Sequence, residues 1–220
     1  ISPLYTATIS NLSGGTLENY LLTDTNNGSY RHLGSFNDDG NFIENSAVSL
    51  IVPNSFNCQP CIGSYLHGEY DLFNMPFSLV SPVSGDTILI DQDKSFSLDY
   101  ILYDEAGLEL IKKTTTFFAN NYLSMHEYYI NDKQLSYVTN LELIWLKGLR
   151  PTEEKVSEDI QYSSAIISQS GEMENIQTND PKKNIERTIY NGNTEWVAVR
   201  SKYFISSLIA NNNNSFATLS

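Results

Sequence analysis

The chain has 220 residues, 40% of them hydrophobic and only 18% charged, with a net charge of −13. That charge excludes nucleic-acid binding, which needs a basic surface to neutralise phosphates, and it sets the N-terminal half against anionic lipid headgroups. No apolar run reaches the roughly 18 residues of a membrane-spanning helix, and with no n-region or h-region at its start no secretory leader is expected.

The acids are unevenly spread. Residues 1–100 hold eleven of them against Arg31 and Lys94, a net of −9, whereas residues 101–220 net only −4. Solubility accounts for such a surface. The sharper reading is that the acidic half faces away from a bilayer or towards a basic partner. The start at Ile1 rather than Met creates the expectation that a preceding segment was removed.

With 14 Tyr and 10 Phe, the composition favours strands. Taken in chain order, strands are predicted over 4–10, 16–22, 46–52, 64–72, 77–82, 86–91, 95–104, 107–118, 121–130, 134–146, 161–169, 172–178, 184–190, 195–199 and 203–209. Gly14-Gly15 reads as the turn between the first two. The clearest alternation is 95–103, where Phe96, Leu98, Tyr100 and Leu102 share a face and Ser97, Asp99 and Ile101 the other. One wet face implies an antiparallel sheet. Asp104-Glu-Ala-Gly107 predicts a hairpin into Leu108–Phe118, and Asn131-Asp-Lys133 another. One short helix is predicted, with Pro151 at its first position and Thr152–Asp159 following, its early acids suiting the helix dipole. The run Asn211–Asn214 reads as a loop or frayed end. Strands on this scale suggest stacked sheets in one domain.

Cys58-Gln-Pro-Cys61 can be a redox pair, half a zinc site or a local disulfide. It sits in a loop with no βαβ context, and His32, His67 and His126 lack paired ligand spacing. Cys58 and Cys61 therefore read first as a loop staple or free thiols, and no metal or cofactor is expected. His126 and Glu127 are adjacent on a strand and point to opposite faces, so they do not act together as acid and base. No catalytic residue is expected. Trp145 and Trp196 read as core anchors rather than a sugar-stacking platform, with Trp196→Ala costing about 3–5 kcal/mol.

Four segments in order resemble one known family. Ile9-Ser-Asn-Leu-Ser-Gly-Gly15 is similar to an opening I-S-N-x-G-G that includes Gly14 and Gly15. Lys113-Thr-Thr-Thr-Phe-Phe-Ala-Asn-Asn-Tyr-Leu-Ser-Met125 is similar to K-x-Y/T-x-F-x-x-x-x-Y. Leu143-Ile-Trp-Leu-Lys-Gly-Leu-Arg-Pro-Thr-Glu153, with Trp145 and Gly148, is similar to W-x-x-G-L-x-x-T-E. Thr194-Glu-Trp-Val-Ala-Val-Arg-Ser-Lys-Tyr-Phe-Ile-Ser-Ser-Leu-Ile-Ala210, with Trp196, Tyr203 and Phe204, is similar to W-V-A/G-V/M-x-x-x-Y-F. Together they resemble the large periplasmic domain of the bacterial YidC membrane protein insertases.

The resemblance implies an all-β fold, a galactose-mutarotase-like β-supersandwich with one short helix, as a single domain over residues 1–220. The family's domain continues beyond the last segment, which implies that this chain lacks its C-terminal part. It also implies a non-enzymatic domain at the periplasmic face of the inner membrane, held there by transmembrane helices outside this chain. Its expected partners are Sec translocase accessory subunits and nascent membrane proteins. A carbohydrate-binding domain and a secreted adhesion-type β-sandwich are the alternatives on similar architecture.

Overall fold

Residues 95–118 set the framework, because their alternation makes two long strands that zip together without interruption. The computed structural model describes every residue except 38, 54–57, 67–68, 71, 73, 132, 134–140, 178–187, 212–215 and 220. Its elements begin with β1 (Tyr5–Ile9), β2 (Leu17–Leu22), β3 (Thr25–Asn26), β4 (Ser29–Tyr30), β5 (Leu33–Phe36) and β6 (Phe42–Ala47). Next come β7 (Cys61–Leu66), β8 (Glu69–Tyr70), β9 (Ser78–Leu79), β10 (Ser95–Tyr103), β11 (Glu109–Phe118), β12 (Ser124–Ile130) and β13 (Leu141–Ile144). The helix α1 (Val156–Tyr162) precedes β14 (Ser164–Gln169), β15 (Glu172–Ile176), β16 (Thr188–Asn191), β17 (Thr194–Arg200), β18 (Ile205–Ile209) and β19 (Phe216–Leu219). The strands pair antiparallel and α1 is the single helix among the described residues, so the fold is all-β.

The chain divides into two compact units, one of residues 1–32 and 47–146, the other of residues 33–46 and 147–220. In the first, the sheet β12-β11-β10-β9 is accompanied by β1-β2 and by β13-β7-β8. Tyr5 of β1 stacks on Tyr20 of β2 with ring centroids 4.7 Å apart. The Tyr5 hydroxyl donates to the Phe118 carbonyl of β11 at 2.9 Å, so β1-β2 lies against the larger sheet. Tyr5, Phe77, Ile51, Val48 and Ile111 are fully buried between these layers. The outer face of β10-β11 is a polar ladder. Ser97 bonds Thr116 at 2.8 Å, Thr114 donates to Asp99 at 2.6 Å, and Lys112 pairs with Asp99 at 3.1 Å.

The second unit is built on β15-β14-β17-β18, with β16-β19 and β5-β6 beside it. Ile167, Ala198, Leu149 and Leu219 are its buried apolar side chains among the described residues.

Several predicted elements move. Residues 86–91 form no strand, although Ile90 N donates to Ile1 O and the Ile1 ammonium to Ile88 O, which aligns this segment with the chain start. The predicted strand 46–52 ends as β6 at Ala47, and 64–72 is instead the pair β7 and β8. The helix starts at Val156 rather than Pro151, because Asp159 on α1 takes the backbone N–H groups of Thr152 and Glu153 and holds that stretch irregular. The predicted strand 203–209 begins at Ile205, since Ser201 N donates to Phe204 O in the turn before it. The parts of predicted strands at 134–140, 178 and 184–187, His67 and residues 212–214 lie outside the described residues.

Candidate functional site

On β11 the side chains of Ile111, Lys113, Thr115 and Phe117 all point inward and are buried, while Lys112 and Thr114 between them face outward. A lysine thus occupies a core position. Its Nζ donates to Gly15 O at 3.2 Å and Ser13 O at 3.4 Å, and it lies 5.3 Å from the ring centroid of Tyr128, its cross-strand partner on β12. No carboxylate pairs with it among the described residues. Burial therefore pulls the Lys113 pKa down to about 7.

The receiving turn needs its glycines. Gly14 and Gly15 have φ of +72° and +95°, and a Cβ at Gly15 would sit 2.9 Å from Tyr100 Cε2. The first two family-like segments therefore meet here, one supplying the carbonyls and the other the amine. His126, beside Lys113 on β12, shares ring-nitrogen bonds with Thr115 at 3.1 Å and Ser124 at 2.9 Å. Burial, and then the neighbouring Lys113, lower its pKa to about 3.

The same turn holds the cysteine loop. Thr16 accepts from Gln59 N at 2.8 Å, Leu17 N donates to Gln59 O, and Gln59 Nε2 reaches Leu146 O at 2.9 Å. Cys58 and Cys61 are joined by a disulfide and are fully buried. In that position the bond staples a loop and is closed to an approaching thiol, unlike an exchange site.

In the second unit the organiser is Asp159 on α1, a carboxylate 1% exposed. Its Oδ2 accepts from Thr152 N and Glu153 N, and its Oδ1 from Lys202 N at 3.3 Å. Lys202 in turn donates to Glu158 at 3.1 Å, stands 4.0 Å from Glu153 and lies 4.9 Å from the Tyr203 ring centroid. Tyr203 and then Glu158 hold the Lys202 pKa above the ordinary lysine range, and Lys202 holds that of Glu158 below the carboxylate range. Here the end of the third family-like segment meets the fourth.

The remaining sequence candidates are placed as follows. Trp145 and Trp196 are half-buried rather than core, because Trp196 sits in the outermost row of its sheet opposite exposed Ile209. Tyr203 is 61% exposed and Phe204 half-buried. Gly148 is exposed with open space at its Cβ position, and the positive φ of that turn falls on Lys147 at +74°. Sequence reasoning passed over Lys113 and Asp159. The signal for Lys113 was its register, in phase with Ile111 and Phe117; nothing local marked Asp159.

The polar groups at both junctions act inside an all-β fold. The family model of the YidC periplasmic domain matches residues 81–220, and the chain belongs to that family. It is similar to the membrane protein insertase YidC of Prosthecochloris aestuarii, with 26% identity over 209 residues, covering 93% of this chain and 32% of that protein. The chain therefore spans about a third of the length of the curated relative it matches. No solved structure matches it significantly. These matches favour the insertase reading over a carbohydrate-binding or adhesion domain. No helix among the described residues is long and apolar enough to cross a membrane.

Proposed function

We propose that this chain is the periplasmic domain of an inner-membrane protein insertase and works there by binding and positioning, without catalysis. The observation that supports this most is the likeness to an insertase along 93% of the chain, in a family defined by that domain. The buried polar groups fit a supporting role: Lys113 and Asp159 are both out of contact with solvent and engaged by the chain's own backbone. Their position ties loops together rather than offering a reacting group to a substrate. The charge of −13 suits a domain that stays off an anionic bilayer surface and meets proteins instead. Nascent membrane proteins and the accessory subunits of the Sec translocase are the partners this role calls for. Capture from solubilised membranes on the immobilised chain tests it. Enrichment of Sec accessory subunits supports the docking role, and recovery no better than from an unrelated acidic β-domain counts against it.

A further inference from the structure

The four-stranded sheet of the second unit carries three registered rows across one face. Met173, Ser168, Trp196 and Ile209 form the first; Asn175, Ile166, Ala198 and Ser207 the second; Ser164, Arg200 and Ile205 the third. The central side chains Ser168 and Ala198 are buried, but the two edge strands leave Met173, Ile205 and Ile209 exposed at 71%, 57% and 62%. At the third row the surface sinks into a depression of about 320 Å³ lined by Gln161, Tyr162, Ser164, Asn175, Gln177 and Arg200. No carboxylate lines it, in a chain with twice as many acids as bases. Among the described residues the Arg200 guanidinium has neither an ion pair nor a hydrogen bond.

We infer that this depression receives an Asp or Glu carboxylate carried by an extended polypeptide segment, whose flanking apolar side chains rest on Met173, Ile205 and Ile209. The guanidinium fork matches a carboxylate in a planar, two-bond geometry. Asn175, Gln161 and the Gln177 carbonyl oxygen offer both donors and acceptors, the complement of peptide groups. The depression is open to solvent, so it does not enclose a small molecule as a ligand pocket does. An open site suits a carboxylate whose carrier gains further contact beside it, and the exposed apolar residues on the same face supply that contact. The net charge of −13 works against acidic partners at long range, which makes the contact weak and favoured by salt. The inference rests on the binding role proposed above and names the chemistry of the segment bound.

Nuclear magnetic resonance titration of the chain tests it, using a peptide with one Glu between leucines, its Glu→Gln counterpart, and free glucuronate. The Glu peptide is expected to shift the amide signals of Ser164, Asn175 and Arg200, with the Gln peptide about tenfold weaker. Arg200→Gln, on the surface and without structural contacts, is expected to remove that discrimination and leave the fold unchanged. Equal response to both peptides, shifts confined to other surfaces, or tighter binding of glucuronate than of the Glu peptide overturns the inference. Capture of Sec subunits that survives such a failure would leave the docking role standing and remove only this site.

Discussion

Lys113→Met isolates the cost of an amine buried without a counter-ion. In the unfolded chain a lysine keeps its proton to 10.5, whereas burial in the fold brings Lys113 down to about 7. Below about pH 7 both states hold the proton, and the native state carries the full penalty of a desolvated ammonium. Between about 7 and 10.5 the unfolded state binds more protons than the native one, so stability rises with pH. At 1.36 kcal/mol per unit the gap amounts to about 5 kcal/mol. Methionine keeps the volume and removes the charge, but forfeits the bonds to Gly15 O and Ser13 O, about 1 kcal/mol each. The variant is therefore expected to be about 3 kcal/mol more stable than the parent near pH 6, and about 1 kcal/mol less stable near pH 10, where part of the penalty remains. Urea unfolding of both proteins across this range measures the difference directly, and titrating groups not coupled to Lys113 cancel in it. A difference that stays constant with pH would show that Lys113 does not lose its proton on burial, and the reasoning would fail.

His126, brought to about 3 from 6.5, contributes stability that is complete above pH 6.5 and lost as pH falls towards 3; His126→Gln should flatten the acid limb of the stability profile over that window. Gly15→Ala should cost about 2–4 kcal/mol in chemical unfolding, because its φ of +95° and the Tyr100 ring both resist a Cβ, whereas Gly148→Ala should change stability by less than about 0.5 kcal/mol. Asp159→Asn turns one acceptor into a donor facing backbone N–H groups and should destabilise by about 2–4 kcal/mol, with hydrogen exchange speeding first at Thr152, Glu153 and Lys202. Trp196→Ala should cost about 1.5–2.5 kcal/mol, below the figure for a core tryptophan, since the side chain is only half-buried.

Period-two patterning made β10, β11 and β12 legible, because each is several residues long and has one face more buried than the other. The short hairpin β3-β4 was legible too and went unread: Asn27-Gly28, with φ of 53° and 82°, is the dipeptide a two-residue hairpin turn requires. What closes that hairpin was not legible. Asp24 is 4% exposed and pairs with Arg31 at 3.0 Å, a contact that depends on where the flanking chain runs. Residues 86–91 looked like a strand because Thr87, Leu89 and Ile90 are β-formers, yet Leu89 is 73% exposed, so no buried face rewards regular pairing. The helix start was misplaced for a similar reason. Pro151 and the two glutamates are good local signals, but the buried carboxylate of Asp159 competes for the same N–H groups and wins.

The family-like segments were recognised as strings, and the structure gives them a physical reason. The Gly14-Gly15 turn is constrained from two sides: its φ values favour glycine, and the carbonyls of Ser13 and Gly15 are the hydrogen-bond acceptors of Lys113. A turn displaced by a bulkier residue would carry these carbonyls away from a buried ammonium that has no carboxylate among the described residues to replace them. The same logic joins Thr152-Glu153 to Ser201-Lys202 through Asp159, where three backbone N–H groups converge on one carboxylate. In each junction one charged side chain, Lys113 or Asp159, is matched by backbone groups of a segment distant in sequence. The surface that meets a partner has to be sought where side chains are still free to do so, and in the second unit that points to Arg200 rather than to the tryptophans and glycines that made the sequence recognisable.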